Sequence, residues 1–274
     1  MPDSYLEAVL AGLAGLLIGS FLNVCVYRLP RDLSVVRPRS HCPACEKQID
    51  WYDNIPVLSY LILGAKCRHC GERISLRYPL VELATAAAFA LCVAELGLTW
   101  PAAKFAALSA ILIALIATDL EDRILPDEFT LGGTVLGIAL SGVVPLDPGI
   151  VTFLVWGTVG PRWSSVVESV TGALLGSGLI WGFAWVYGKI RKRDVLGLGD
   201  VKMIAMLGAF LGMEEALLIL CVAGFAGSLI GVIYIVAAKK DWSTYELPYG
   251  SFIGAAGLAI ALWVHVLAHG LRPQ

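Results

Sequence analysis

Two carboxylates stand where apolar sequence meets polar sequence, and four cysteines come in pairs. Residues 113–126 read I-A-L-I-A-T-D-L-E-D-R-I-L-P: an apolar run stops at Asp119, and Glu121, Asp122, Arg123, Asp127 and Glu128 follow. Gly197-Leu198-Gly199-Asp200 is the counterpart, where a carboxylate opens an apolar run instead of closing one. Two carboxylates held close cannot both ionise easily, so they share a proton. The anionic member can then activate a water while the neutral one protonates or hydrogen-bonds a scissile carbonyl, which hydrolyses a peptide with neither a metal nor a covalent intermediate. On spacing alone Asp119 also fits a carboxylate that merely marks a membrane boundary, and the pair fits a proton relay in a transporter. The second chemistry lies in Cys42-Pro43-Ala44-Cys45 and Cys67-Arg68-His69-Cys70, with 21 residues between the pairs. Paired C-x-x-C knuckles supply four thiolates to a tetrahedral zinc and leave no position open for catalysis, so the metal is expected to be structural. Two disulfides are the alternative, which a reducing cytoplasm disfavours.

The elements that must position these residues are helices in a membrane. The 274 residues are 58% hydrophobic and 15% charged, where a soluble domain carries about 25% charged residues. Mean hydropathy is +0.76. Polar residues gather in short blocks between stretches long enough to cross a hydrocarbon core of about 30 Å. Eight spans are expected, near 5–27, 78–97, 101–119, 129–146, 166–187, 199–212, 214–238 and 250–268. The first has no basic region before it and is too long for a signal peptide. The fold class is therefore all-α and polytopic, with three parts: a first helix at 1–27, a zinc-knuckle segment at 28–77, and a seven-helix membrane domain at 78–274.

Segment 28–77 holds nine Lys and Arg, so the positive-inside rule puts it in the cytoplasm. Counting spans onward, 17 of the 20 Lys and Arg fall on or near that side, leaving Lys104, Arg162 and Arg272 outside. Both termini then face outward, and Asp119 and Asp200 lie at one depth on the cytoplasmic side. Within this frame, Gly15 and Gly19 have the spacing of close helix packing, as do Gly227 with Gly231 and Gly250 with Gly254. Asn23 and Glu82, polar near the membrane edge, need partners or line a site. Residues 51–64, with Trp51, Tyr52 and Tyr60, suit a segment on the membrane surface. Phe153, Leu154, Val155, Trp156 and Trp163 suggest that the outer loop dips into the interface. Nothing points to nucleic acid; membrane lipid is the expected surrounding.

The motifs together resemble the bacterial type IV prepilin peptidases, or leader peptidase/N-methyltransferases, of the G-x-G-D membrane aspartic protease class. The matching stretches are G-S-F-L-N-V at 19–24, the two C-x-x-C pairs, W-Y-D-N-I-P-V-L-S-Y at 51–60 and K-C-R-H-C at 66–70. R-Y-P-L-V-E at 77–82, D-L-E-D-R-I-L-P-D at 119–127 and G-L-G-D-V-K at 197–202 complete the set. The resemblance implies an inner-membrane aspartic endopeptidase with Asp119 and Asp200 catalytic, cutting prepilins or type II secretion pseudopilins after a leader Gly at the cytoplasmic face. It also implies methylation of the new N-terminus with S-adenosylmethionine, a role associated with the cytoplasmic segment. Lys66, Asn54 and Glu82 are the candidates for that methyltransferase or substrate site. The family usually has Gly-Lys-Cys where this chain has Ala65-Lys66-Cys67.

Overall fold

The computed structural model describes residues 2–150, 153, 160–191, 197–237 and 247–268. The regular elements are helices: α1 (Pro2–Arg28), the short α2 (Leu58–Ile62), α3 (Arg77–Leu96), α4 (Trp100–Asp122), α5 (Asp127–Ser141), α6 (Pro161–Arg191), α7 (Leu198–Leu211), α8 (Met213–Ala237) and α9 (Tyr249–Ile260), which continues as a π-helix over Ala261–Leu267. Six are long and apolar enough to cross a membrane, and the chain is a multi-pass membrane protein. The two remaining expected spans, α5 and α7, have only 15 and 14 residues. At 1.5 Å per residue they rise about 22 and 21 Å, short of a hydrocarbon core of about 30 Å.

Two boundaries differ from expectation. Helix α4 continues to Asp122, so Glu121 and Asp122 are helical and Asp119 sits in the last turn. The helix stops only at Arg123, held at φ 55, ahead of Pro126, which disfavours helix in the residue before it. Helix α6 has 31 residues and starts at Pro161, a residue preorganised for a first helical turn. Leu154, Val155 and Trp156 lie outside the described residues.

The chain divides into two compact units, Met1–Thr118 with Leu262–Gln274, and Asp119–Ala261. In the first, α1 runs antiparallel to α3 and glycines remove the spacers between them. A Cβ on Gly15 would stand 2.7 Å from the Ala86 Cα, and one on Gly19 2.7 Å from the Glu82 Cα. Gly15 and Gly19 thus let the backbones touch, the common means of helix association in lipid. One turn further, Asn23 donates from Nδ2 to the Tyr78 carbonyl at 3.0 Å.

The knuckles between these helices repeat one another. Cys42 N–H donates to Lys47 O at 2.9 Å and Cys67 N–H to Glu72 O at 2.8 Å. Glu46 and Gly71, each four residues after the first cysteine of its pair, take φ 57 and φ 75. Single β-bridges, His41 with Gln48 and Lys66 with Arg73, close the two turns at matching positions. The connecting segment is tied down by Arg68, whose Nε and Nη2 donate to the two Asp53 carboxylate oxygens at 2.7 and 2.6 Å. That fork holds the Asp53 carboxyl below its usual range. Trp51, Leu58, Leu61 and Ile62 remain exposed on the same segment.

Helix α7 is the centre of the second unit: Met203, Ile204, Met206, Leu207, Ala209 and Phe210 are fully buried. It packs on α5, α6 and α8. Gly208 meets the backbone at Gly172 of α6, and a Cβ on Gly137 of α5 would stand 2.8 Å from the Phe210 ring. Ser169 Oγ donates to Ala209 O at 2.6 Å. Gly212, at φ 99, ends α7 and turns the chain directly into α8.

Replacing Gly19 with Leu drives a side chain into the α3 backbone and is expected to destabilise the protein by about 1–3 kcal/mol, the usual cost of overpacking. Gly132→Leu is the control, because a Cβ there meets nothing within 4 Å. Thermal unfolding in detergent should fall for the first variant and hold for the second.

Candidate active site

Asp119 is only 5% exposed, and a buried carboxylate must find donors. It finds them at the start of α9, where helix N–H groups lack intrahelical acceptors and the dipole favours an anion. Ser251 donates to Asp119 Oδ2 twice, from its backbone N at 2.5 Å and from Oγ at 2.7 Å. The approach depends on the residue before it, since a Cβ on Gly250 would stand 3.1 Å from the Asp119 carboxyl carbon. Leu125, in the turn after α4, fills the space between glycines. It lies 3.0 Å from a Gly250 Cβ position and 3.1 Å from that of Gly199.

Asp200 reaches the same place from the first turn of α7, half-buried. Gly197 precedes that helix in extended conformation and accepts the Asp200 N–H at 3.1 Å. Through Leu125, which lies against both Gly199 and Gly250, Asp200 and Asp119 come to the same point of the fold. Tyr249 opens α9 two residues before Ser251. Lys202, one half-turn along α7, holds both oxygens of Asp127 at 2.6 and 2.9 Å and fixes α7 to the start of α5. Asp127 is therefore spent on positioning.

The four knuckle sulfurs also converge. All lie within 4.8 Å of one another, and Cys42 Sγ is 3.9 Å from Cys70 Sγ. A tetrahedral zinc with bonds of about 2.3 Å separates its sulfurs by about 3.8 Å, so the arrangement fits that ion. None of the four is in a disulfide. The backbone N–H groups of Cys70 and His69 bring the Cys67 thiol down to about 7. The Glu72 amide lowers Cys70, but desolvation and the Cys67, Cys45 and Cys42 thiols outweigh it and push that thiol to about 12. As thiolates, four sulfurs this close would need a cation among them.

The proposed methyltransferase residues are only partly gathered. Asn54 lines two adjoining cavities of about 350 and 100 Å³ beside the Arg28 end of α1, and Glu82 lines the smaller. Lys66 lines neither and is exposed on the second knuckle. Ala65 takes φ 59, a conformation that costs a non-glycine residue about 1–2 kcal/mol, which accounts physically for glycine as the residue that suits this turn.

Ser251, Gly250, Leu125 and Tyr249 were not legible as site residues. Gly250 reads as a packing glycine with Gly254, and its contact with the Asp119 carboxyl is long-range. The one local signal is Pro248-Tyr249-Gly250-Ser251, a helix start with a hydroxyl near the first turn.

Residues 13–96 match the family described as Bacterial Peptidase A24 N-terminal domain, and residues 106–232 match the Type IV leader peptidase family. A prepilin leader peptidase/N-methyltransferase of Myxococcus xanthus is 38% identical over 86% of this chain, which spans 65% of that relative's length. A type 4 prepilin-like proteins leader peptide-processing enzyme of Escherichia coli is 36% identical over 92% of both chains. A prepilin leader peptidase/N-methyltransferase of Pseudomonas aeruginosa is 31% identical over 92% of this chain and 88% of its own. No solved structure matches the chain. The Asp119–Asp200 pair thus lies in a chain that belongs to the type IV leader peptidase family of enzymes.

Proposed function

We propose that the chain is an aspartic endopeptidase that removes the leader of type IV prepilins or type II secretion pseudopilins after Gly, and then methylates the new N-terminus. The observation that carries the peptidase reading is the meeting of Asp119 and Asp200, from the end of one helix and the start of another. Ser251 supplies two donors to Asp119 and fixes its carboxylate in place. One carboxylate of the pair takes a proton from the attacking water. The other carries the shared proton and gives it to the scissile carbonyl oxygen.

The basic residues orient the chain with 28–77 and the dyad on the cytoplasmic face and both termini outside. In this arrangement the short α5 and α7 are the two additional crossings of an eight-helix fold, α7 enclosed by its neighbours and α5 covered on one face. A scissile bond just before a hydrophobic pilin helix would then lie at the depth of the dyad. Segment 28–77 is the zinc-binding part, with Cys42, Cys45, Cys67 and Cys70 as structural ligands.

Support for methyl transfer comes from the relatives' names and from the cavity at Asn54 and Glu82. S-adenosylmethionine, when bound, supplies a methyl group on a sulfonium cation. The buried Glu82 carboxylate and the Asn23 amide oxygen suit a positively charged ligand.

Asp119→Ala and Asp200→Ala should each lower leader cleavage by at least about a thousandfold, the scale of losing a member of a catalytic unit, while the protein still inserts. Asp122→Ala should process a co-expressed prepilin near the wild-type rate. Normal cleavage by either dyad variant would refute the mechanism. Metal analysis should find about one zinc per chain, abolished by Cys42→Ser with Cys45→Ser. A metal-free wild type would refute the zinc assignment.

A further inference from the structure

The smaller cavity contains two acceptors that the peptidase chemistry leaves unused. Asn23 is 2% exposed and Glu82 is 7% exposed, and both line it. The Asn23 amide is oriented by its Nδ2 bond to Tyr78 O, so Oδ1 points the other way, and that oxygen has no hydrogen-bond partner among the described residues. Glu82 accepts the Val57 N–H at 2.7 Å and the Ser20 hydroxyl, yet among the described residues it has no ion-pair partner. Val57 is held at φ 60 to make its contact, a rare conformation for a β-branched residue that costs about 1–3 kcal/mol.

The nearby cation does not neutralise the pair. Arg28 lines the cavity, but its Nη1 and Nη2 are directed to Ser34 O at 2.8 Å and Pro38 O at 2.7 Å. His41, on the cavity wall, turns Nδ1 to Arg39 O at 3.4 Å. A buried carboxylate without a counter-charge and a buried amide oxygen without a donor are both costly. A ligand that brings several N–H donors and one positive charge satisfies both.

We propose that Asn23 Oδ1 and Glu82 form a binding site for a primary ammonium group. This rests on the methyl-transfer reading of the same cavity and adds the chemistry it recognises. Two molecules in that reaction carry such a group: the freshly cut pilin, at its N-terminus, and the methyl donor, at its amino-acid end. An amine held here also has Glu82 within reach to accept the proton that an ammonium must lose before its nitrogen lone pair can form a new bond to carbon. The proton passes to the carboxylate and then to water; as the nitrogen lone pair bonds to the methyl carbon, the carbon–sulfur bond of the sulfonium would break with its electron pair leaving on sulfur as a neutral thioether, and the nitrogen regains a positive charge. Asn23 is a positioning residue in this scheme.

Binding to the purified full-length protein tests it in two arms. One compares a mature-pilin N-terminal peptide with its N-acetylated form; the other compares S-adenosylhomocysteine with its deaminated analogue. Wild type should prefer the free amine by about tenfold or more in one arm, equal to about 1.4 kcal/mol, and that arm identifies the source. Glu82→Gln and Asn23→Leu should reduce the preference to near unity, whereas Asn23→Asp, which keeps an acceptor oxygen, should retain it. Thermal unfolding of each variant separates lost folding from lost recognition. No preference in either arm, as expected if Oδ1 merely holds a water, overturns the proposal, and so does a preference that survives both Glu82→Gln and Asn23→Leu in folded protein. Mass analysis of pilin matured by the wild type reports separately on methyl transfer. Methylated pilin with no amine preference removes only the ammonium site; amine preference with unmethylated pilin removes only the methyl-transfer reading.

Discussion

The seating of the Asp119 carboxylate against the start of α9 is the constraint on which the second unit depends. A carboxylate at 5% exposure persists only if donors reach it, and the two from Ser251 do so because Gly250 presents no side chain in the gap. Leu125 wedges between Gly250 and Gly199, which brings the α7 start, and Asp200 with it, to the same point. The remainder of α7 then needs a rigid bed. Gly172, Gly208 and Gly137 provide it by backbone contact, and Lys202 with Asp127 pins the first turns of α7. An exposed ion pair of this kind contributes little stability, so its value lies in registering α7 on α5.

The first unit uses the same device for another purpose. Gly15 and Gly19 bring α1 onto α3, and this close packing is what allows Asn23 and Glu82 to face one small cavity. The knuckles repeat one turn design twice around four convergent sulfurs, giving a polar segment with few apolar side chains a fixed shape. The Asp53–Arg68 fork then holds the stretch containing Asn54 against the second knuckle.

Much of this was legible from residue type and spacing. Asp119 and Asp200 stood out because each interrupts an apolar run, and C-x-x-C pairs announce themselves by period. Helix existence followed from hydropathy. Ser251 and Gly250 did not stand out, since a donor to a carboxylate 132 positions away in sequence has no local pattern. The end of α4 was misplaced because charge was read as a helix stop, while the backbone needed Arg123 and Pro126 to end it. Helices α5 and α7 were counted as spans from apolarity, and their 15 and 14 residues fall short of the length by which a span is recognised, because apolarity reports burial in lipid or protein and does not report helix length. Lys66 was grouped with Asn54 and Glu82 by motif, and the fold keeps it apart from their cavity.

Cleavage rates of Asp119→Asn, Asp200→Asn and the double variant on one prepilin test most directly whether the two carboxylates act as one unit. Residues that share a proton and a water are non-additive, so each single variant should lose about as much rate as the double. Losses that multiply, or a single variant that keeps substantial activity, would contradict a shared dyad.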